Sequence, residues 1–318
     1  MNHSEIDVDY VDIEDPAGGA PWRIARRLRP AAPEGDGGPG LVWLGGFASD
    51  MASTKASRLD EWARAHGRAF LRFDYSGHGL SGGKFEDGCI GDWLAQAEGV
   101  FLRSTRGPQI LIGSSMGGWI ALLLARRLAE RGEDGRLAGL VLLAPAVDFT
   151  EELMWKNLDP AAQRDIMEKG AFLRASQYAA EPTPITRRLI EDGRRHLLLG
   201  GMMRAHARVH ILQGMDDPDV PWRHALTLVE HLSADPVTLT FIADGDHRLS
   251  REQDLAQLCA AVELMGAPLR ARRRATSCPG IDAPAVFGRA RICRALTGPA
   301  RASMLPNNSF GISNARTF

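Results

Sequence analysis

Four short apolar runs alternate with helical patterns along the first half of the chain. The runs are LVWLGGF (41–47), AFLRFDY (69–75), PQILIGS (108–114) and LAGLVLLAPA (137–146). Their apolar residues follow one another at consecutive rather than alternate positions, which is typical of strands buried on both faces of a sheet. Because helical patterns separate the runs, the chain is predicted to be an α/β protein with a mostly parallel sheet and crossover helices.

The alternation stops after Ala146 and resumes near residue 208. Residues 147–200 are mostly helix-like and contain no convincing strand, so we interpret them as a helical lid insertion over one edge of the sheet. Strands are then predicted at RVHILQG (208–214) and VTLTFIA (237–243), each followed by a helix. Ahead of the first run, EIDVDYVDI and WRIARRL alternate with period two, which predicts antiparallel edge strands.

The run at 108–114 ends in a glycine-rich bend that contains two serines. The segment Gly113-Ser114-Ser115-Met116-Gly117 fits G-x-S-x-G, with a predicted strand before it and a helix after it. Such a turn lifts the central serine out of the sheet and points the N–H groups of the next helix at the reacting centre. Ser115 is therefore predicted to be a nucleophile, with Ser114 as its structural neighbour. The alternative is a chance match in a glycine-rich loop.

A serine nucleophile needs a base, and the base needs an acid that orients it. The acid is expected after a late strand, and three aspartates follow the run at 208–214: Asp216, Asp217 and Asp219. We choose Asp217, because residues 214–220 fit the pattern G-x-x-D-x-x-V that is usual at this place. Asp219 is interpreted as a helix cap ahead of Pro221. A metal site in this cluster is not expected, since no histidine pattern accompanies it.

The base is expected in the loop after the last strand. FIADGDHRLS supplies His247 there, just before the final predicted helix. The neighbouring carboxylates, Asp244 and Asp246, either orient this histidine or are ordinary loop residues. His78, in YSGHGLSGG, follows an earlier strand on the same edge, and we interpret it as part of a structural loop near the site rather than as a catalytic residue.

The negative oxygen of a tetrahedral intermediate must be held by preorganised N–H groups, an oxyanion hole. One donor is predicted at Met116, directly after the nucleophile. The other is predicted at Phe47, which follows Gly45 and Gly46 in the loop after the run at 41–47. The alternative for this second loop is a plain glycine turn.

Charge and cysteine usage limit the partners and the compartment. The 38 Lys and Arg residues nearly balance the 39 Asp and Glu residues, for a net charge of -1, so no nucleic-acid partner is expected. The acidic start MNHSEIDVDYVDIED lacks the pattern of a secretory signal, and no apolar run approaches the roughly 20 residues of a membrane span. Four cysteines without metal-type spacing predict free thiols, so we expect a cytoplasmic protein.

The composition changes after Gly266. Residues 267–318 contain nine arginines and one aspartate, without lysine or glutamate and without usable periodicity. We predict that residues 1–266 form the folded domain and that 267–318 is a disordered, Arg-rich tail. Nucleic-acid binding by this tail is the alternative, and a basic tract alone is weak evidence for it.

Taken together, these motifs resemble the α/β hydrolases. The blocks GFASDMASTKA, LRFDYSGHGLSGG, GPQILIGSSMGGW, GMDDPDVPW and GDHRLSREQDL look like the branch of α/β-hydrolase domain-containing protein ten, an acyl-protein thioesterase, and its bacterial relatives. The resemblance covers about residues 4–266 and implies the α/β-hydrolase fold. It also implies the site residues, namely nucleophile Ser115, acid Asp217, base His247, and oxyanion donors Phe47 and Met116.

The resemblance implies serine-dependent hydrolysis of carboxylic esters or thioesters through an acyl-enzyme, with no cofactor and no metal. The substrate would be a small molecule or an acylated protein. Apolar residues of the insertion, among them Trp155 and Phe172, are predicted to line an acyl pocket, with ordinary helix packing as the alternative. A lipase, a peptidase, a perhydrolase and a non-catalytic binding module of the same fold stay open, because a fold alone does not define a function.

Overall fold

The apolar runs form strands of one eight-stranded sheet in a computed structural model, which describes residues 6–35, 37–175, 182–232 and 234–266. The predicted tail, 267–318, lies outside the described residues. In chain order the strands are β1 (Asp9–Ile13), β2 (Trp22–Arg29), β3 (Gly40–Leu44), β4 (Phe70–Phe73), β5 (Gln109–Ser114), β6 (Leu137–Leu143), β7 (Ala171–Arg174), β8 (Thr183–Thr186), β9 (Val209–Gly214) and β10 (Val237–Ile242).

The order of strands across the sheet is β1-β2-β4-β3-β5-β6-β9-β10. All neighbouring pairs from β4 to β10 are parallel, whereas β2 is antiparallel to both β1 and β4. The predicted parallel sheet with antiparallel edge strands is therefore confirmed. Because parallel strands end on the same side, the loops after β3, β5, β9 and β10 meet at one edge of the sheet.

Seven α-helices accompany the strands in the described ranges: α1 (Thr54–Ala65), α2 (Ile90–Ser104), α3 (Met116–Glu130), α4 (Pro160–Lys169), α5 (Arg187–Gly193), α6 (Trp222–His231) and α7 (Glu252–Gly266). Helices α1 and α7 cover one face of the sheet, and α2, α3 and α6 cover the other. Within the described residues, none of these helices has the length and apolar character that a membrane crossing requires.

Each central strand contributes to two separate hydrophobic cores. In β3, Leu41 packs with the α1 and α7 side, and the next residue, Val42, packs with the α2 and α3 side. In β5, Ile110 and Leu111 divide in the same way. Successive side chains of a strand point to opposite faces, so a sheet covered on both faces requires apolar residues at consecutive positions.

The insertion after β6 is more varied than the helical segment that the sequence predicts. It contains α4, α5 and short π and 3-10 turns, but β7 and β8 also pair as an antiparallel two-stranded sheet. The prediction of a strand-free insertion is therefore wrong. The physical reason is that β7 has four residues, three of them exposed, so it lacks the buried apolar run that predicts a strand.

A buried carboxylate joins the two ends of the insertion. Asp148, just after β6, is 1% exposed and has a left-handed φ of 56°. Its Oδ2 accepts hydrogen bonds from the backbone N–H groups of Leu198 at 2.9 Å and Leu199 at 2.8 Å. Leu198 is buried, so its N–H depends on this carboxylate for a hydrogen-bond partner. Asp148 thus holds the chain where the insertion starts and where it returns to the sheet.

We expect Asp148→Asn to lower the free energy of unfolding by about 1–3 kcal/mol, because Asp148 Oδ1 also accepts from Leu198 N–H at 2.9 Å and an amide NH₂ in place of either oxygen would face a donor. Asparagine tolerates the left-handed backbone, so the change isolates the hydrogen bonds. Urea unfolding measures the effect. The matched control is Asp165→Asn, which removes an exposed ion pair with Lys169 and should cost less than about 1 kcal/mol. Equal stability of the two variants would contradict this role of Asp148.

Candidate active site

Ser115 lies in a strained turn between β5 and α3. Its φ is 54° and its ψ is -118°, a conformation that non-glycine residues seldom adopt. The backbone holds it there, because Ser115 N–H donates to Leu143 O at 2.9 Å and Ser115 O accepts from Ala146 N–H at 3.1 Å. A Cβ at Gly117 would lie 2.0 Å from Leu44 O, so only glycine permits this close approach of helix and strand.

Three side chains from three loops form a hydrogen-bonded chain. His247 Nδ1 lies 2.8 Å from Asp217 Oδ2, and His247 Nε2 lies 3.1 Å from Ser115 Oγ. An ionised carboxylate only accepts, so Nδ1 carries the proton and Nε2 is free to accept from the serine hydroxyl. The structure therefore brings together the serine, histidine and aspartate that the sequence analysis selected, in the arrangement of nucleophile, base and orienting acid.

The Asp217 carboxylate is fully buried and is itself held on its other oxygen. Asp217 Oδ1 accepts from the backbone N–H groups of Asp219 and Val220, both at 2.8 Å. Gln213 at the end of β9 approaches Oδ2 at 3.4 Å and also donates to Val220 O at 3.0 Å. These hydrogen bonds fix the position of the carboxylate, so its Oδ2 faces His247 in one orientation.

The other carboxylates near the site, those of Asp219, Asp244 and Asp246, have different contacts. Helix α6 begins at Trp222 with Pro221 at its N-cap, and no side chain caps it, so the prediction that Asp219 is a helix cap is wrong. The reason is that Pro221 is the N-cap and not the first helical residue, so Asp219 lies two residues before the cap position. Asp246 Oδ1 accepts from Leu249 N–H at 2.9 Å, and Asp244 is ion-paired with Arg251. Both are loop carboxylates.

The predicted oxyanion donors lie on either side of the nucleophile. Met116 is the first residue of α3 and is completely buried. On the other side, a Cβ at Gly46 would lie 3.5 Å from the Ser115 Cβ, so the loop after β3 passes directly beside the serine. The next residue, Phe47, packs its ring against Phe85 at 4.9 Å and Phe149 at 5.5 Å. Its side chain is therefore turned into an aromatic cluster.

The two candidate pocket residues pack within the insertion. Trp155 is partly buried in a 3-10 turn, where the guanidinium carbon of Arg194 lies 4.7 Å from the centre of its ring. Phe172 lies on β7 opposite Ile185 of β8. Both contact the main hydrophobic core. These contacts are what helix and hairpin packing requires, and a role of the two residues in substrate binding stays a prediction.

One group of described residues offers metal-ligand atoms at close range. Atoms of Asp217, Asp219 and His247 lie within 4.8 Å of one another, so the structure supplies the histidine that the sequence pattern lacked. A metal ion bound there would compete for His247 Nδ1, because a nitrogen that donates its proton to Asp217 cannot also coordinate a cation. The hydrogen-bonded arrangement therefore favours general-base chemistry at this histidine.

Two supporting residues were missed by the sequence analysis. Gln213 is a buried polar residue near the end of the mostly apolar strand β9, and that position was the available signal. The Lys55 ammonium, on α1, donates a hydrogen bond to Arg248 O, next to His247 in the chain. Burial lowers the pKa of Lys55 to about 8, although Asp246 opposes the shift. No sequence pattern connects Lys55 with a loop 193 residues away.

Comparisons with known proteins agree with the fold of this chain. A family model described as "Serine aminopeptidase, S33" matches residues 42–183. The mitochondrial palmitoyl-protein thioesterase ABHD10 of Mus musculus is 30% identical over 226 residues, which is 71% of this chain and 74% of the relative. The human protein of the same name is 29% identical over an equal length.

Solved structures show the same relationship. The crystal structure of a putative hydrolase from Agrobacterium vitis S4 is 45% identical, with a TM-score of 0.78 over 83% of this chain and 100% of that one. The structure of mouse α/β-hydrolase domain-containing protein 10 is 26% identical, with a TM-score of 0.69 over 81% and 98%. With its predominantly parallel sheet flanked by helices, the chain belongs to the α/β-hydrolase family and is a relative of ABHD10 within it.

Proposed function

We propose that the protein is a serine hydrolase that cleaves carboxylic esters or thioesters, with Ser115 as nucleophile, His247 as base and Asp217 as the acid that orients the base. The single observation that carries this proposal is the continuous hydrogen-bonded chain Asp217–His247–Ser115, with distances of 2.8 Å and 3.1 Å. The relatives named palmitoyl-protein thioesterases support the proposal that the bond cleaved is an ester or thioester.

In the first step, Ser115 Oγ attacks the acyl carbon while its proton passes to His247 Nε2. The imidazole becomes positively charged, and the buried Asp217 carboxylate stabilises that charge through the Nδ1–H bond. Because Ser115 is already lifted out of the sheet by its strained turn, the attacking oxygen reaches the substrate without rearrangement of the backbone.

The carbonyl oxygen becomes an oxyanion in the tetrahedral intermediate. We assign the N–H groups of Phe47 and Met116 as its donors, because Met116 begins α3 and the loop carrying Phe47 lies against Ser115. The partial positive charge at the start of α3 adds to the stabilisation. Such preorganised donors stabilise the transition state more than the ground state, and so they raise kcat.

His247 then returns its proton to the leaving alcohol or thiol, and the acyl group stays on Ser115. Water replaces the leaving group, is deprotonated by His247, and attacks the acyl-enzyme. The proton finally returns to Ser115 as the carboxylic acid departs. The cycle consumes one water per ester and needs no cofactor, because the same histidine serves as acid and as base in alternation.

The rings of Phe85 and Phe149 pack against Phe47 in the loop after β3, and the fully buried Trp119 supports this cluster at 5.7 Å from Phe149. We infer that this apolar wall borders the acyl side of the site. An acylated protein or a small acyl ester is the substrate class that fits such a wall. Trp155 and Phe172 of the insertion are further candidates for the acyl pocket. The cytoplasmic location stays a prediction, and the curated relatives are named as mitochondrial proteins.

Hydrolysis of p-nitrophenyl esters from acetyl to palmitoyl tests the nucleophile. We expect Ser115→Ala to lower kcat by about 10⁴-fold or more, because the acyl-enzyme cannot form. Ser114→Ala, the adjacent buried serine, is the matched control and should keep activity within a few fold. Equal turnover by wild type and Ser115→Ala would refute the proposal. Turnover of aminoacyl anilides without ester turnover would favour an aminopeptidase instead.

Separate replacement of Asp217 and of the nearby Asp219 by asparagine tests which carboxylate orients His247. Asp217→Asn should lower kcat on the order of 10³–10⁴-fold, because an amide nitrogen facing Nδ1 favours the wrong imidazole tautomer. Asp219→Asn leaves the Asp217 carboxylate intact, since it is the Asp219 backbone N–H that binds it. That variant should stay within about threefold of wild type. Steady-state kinetics decides, and a larger loss in Asp219→Asn than in Asp217→Asn would exclude Asp217 as the acid.

A further inference from the structure

The oxyanion loop, which we define as residues 45–51, is held by a buried histidine from the next loop along the chain. His78 lies after β4 and is 4% exposed. Its Nε2 lies 3.2 Å from the backbone N of Ala48, and its Nδ1 lies 3.2 Å from Ser76 O. Both ring nitrogens therefore have backbone partners, and one partner belongs to the oxyanion loop.

These two partners specify a single protonation state. A carbonyl oxygen only accepts, so Nδ1 must carry a proton toward Ser76. A backbone N–H only donates, so Nε2 must be unprotonated to receive the proton of Ala48. The neutral Nδ1–H tautomer is the form that satisfies both groups. Burial lowers the pKa of His78 to about 4, which keeps the ring neutral at physiological pH.

The Ala48 peptide is the part of the loop that needs such support. Ala48 has a φ of 55°, in the left-handed region that costs a residue with a Cβ on the order of 1 kcal/mol or more. Its N–H is directed at the imidazole and is thereby oriented. The preceding residue, Phe47, supplies the proposed oxyanion donor. The two N–H groups belong to consecutive planar peptide units that meet at the Phe47 Cα, so a displacement of the Ala48 peptide shifts the neighbouring peptide that carries the Phe47 N–H.

The far end of the loop is anchored from the same neighbouring segment. The Asp74 carboxylate, 2% exposed, accepts from Met51 N–H at 2.7 Å and from Leu80 N–H at 2.8 Å. Gly79 makes room for it, because a Cβ there would lie 2.2 Å from Asp74 Oδ2. The loop is thus fixed at Ala48 by His78 and at Met51 by Asp74, on either side of a short exposed stretch.

We propose that His78 is a positioning residue of the oxyanion hole: by accepting the Ala48 N–H it fixes the turn whose preceding N–H, that of Phe47, holds the developing oxyanion. This inference rests on the proposed function. His78 does not touch the reacting atoms, and its effect passes through the backbone of Phe47 and Ala48. An oxyanion donor is effective only within about 2.7–3.1 Å of the oxygen, so a small shift of this turn weakens the stabilisation.

Two isosteric replacements separate the two hydrogen bonds of the ring. In His78→Asn the side-chain amide can occupy the place of Nδ1 and donate to Ser76 O, but it cannot reach Ala48. In His78→Gln the side-chain oxygen can occupy the place of Nε2 and accept from Ala48 N–H. We expect kcat to fall by about 10- to 100-fold in the Asn variant, with KM little changed, and to stay within about threefold of wild type in the Gln variant.

A second readout reports on the oxyanion hole without turnover. An alkyl boronic acid forms a tetrahedral adduct with the serine and places an oxygen in the hole. The inhibition constant of this boronic acid should rise in His78→Asn by about the factor by which kcat falls. In His78→Gln it should stay near the wild-type value. Thermal melting shows whether each variant is folded. His78→Leu, which fills the space without a polar atom, replaces the Asn variant if that one does not melt cooperatively.

The controls separate this inference from the proposed function. His210→Asn changes another buried histidine, which contacts Thr240 at 3.0 Å, and should leave kcat unchanged. Equal kcat and equal boronic acid affinity in the Asn and Gln variants would overturn the role of His78. Full activity in Ser115→Ala would instead overturn the proposed function. Loss of activity in Ser115→Ala together with wild-type behaviour of His78→Asn would reject the inference alone.

Discussion

The close packing of Gly117 against the end of β3 is the constraint on which the rest of the site depends. With no Cβ between them, the first turn of α3 lies against the carbonyl of Leu44, where a methyl group would come within 2.0 Å. The chain must therefore turn sharply between β5 and α3, and Ser115 takes a left-handed conformation in that turn. Such strain costs about 1–3 kcal/mol and persists because the surrounding backbone hydrogen bonds hold it.

The parallel sheet brings other loops next to this turn, and together they form the site. Strands β3, β5, β9 and β10 end at the same edge, so the loops that follow them converge although they are distant in sequence. The strand β6 separates β5 from β9, and the side chain of His247 spans the remaining gap between Ser115 and Asp217. Side chains from neighbouring elements then hold each loop: Gln213 lies beside Asp217, Lys55 binds the backbone next to His247, and His78 binds the backbone of residues 45–51.

Much of this organisation could be predicted from the sequence, because it depends on local sequence patterns such as apolar runs and short motifs. Consecutive apolar residues predicted the strands, and G-x-S-x-G at a strand end predicted the position of Ser115. Asp217 and His247 were found by their places after late strands. The β7–β8 hairpin was missed since its strands are short and one of them is mostly exposed. The partners of Lys55, Asp148 and His78 depend on long-range packing, which no local pattern shows.

The most direct test of the account is to identify the residue that a fluorophosphonate labels. Such probes react with a serine only when a neighbouring base activates it and an oxyanion hole receives the phosphonyl oxygen. Peptide mass spectrometry of the labelled protein should place one adduct on Ser115, and His247→Ala should abolish the labelling while the protein remains folded. An adduct on another serine, or labelling that persists without His247, would contradict the account.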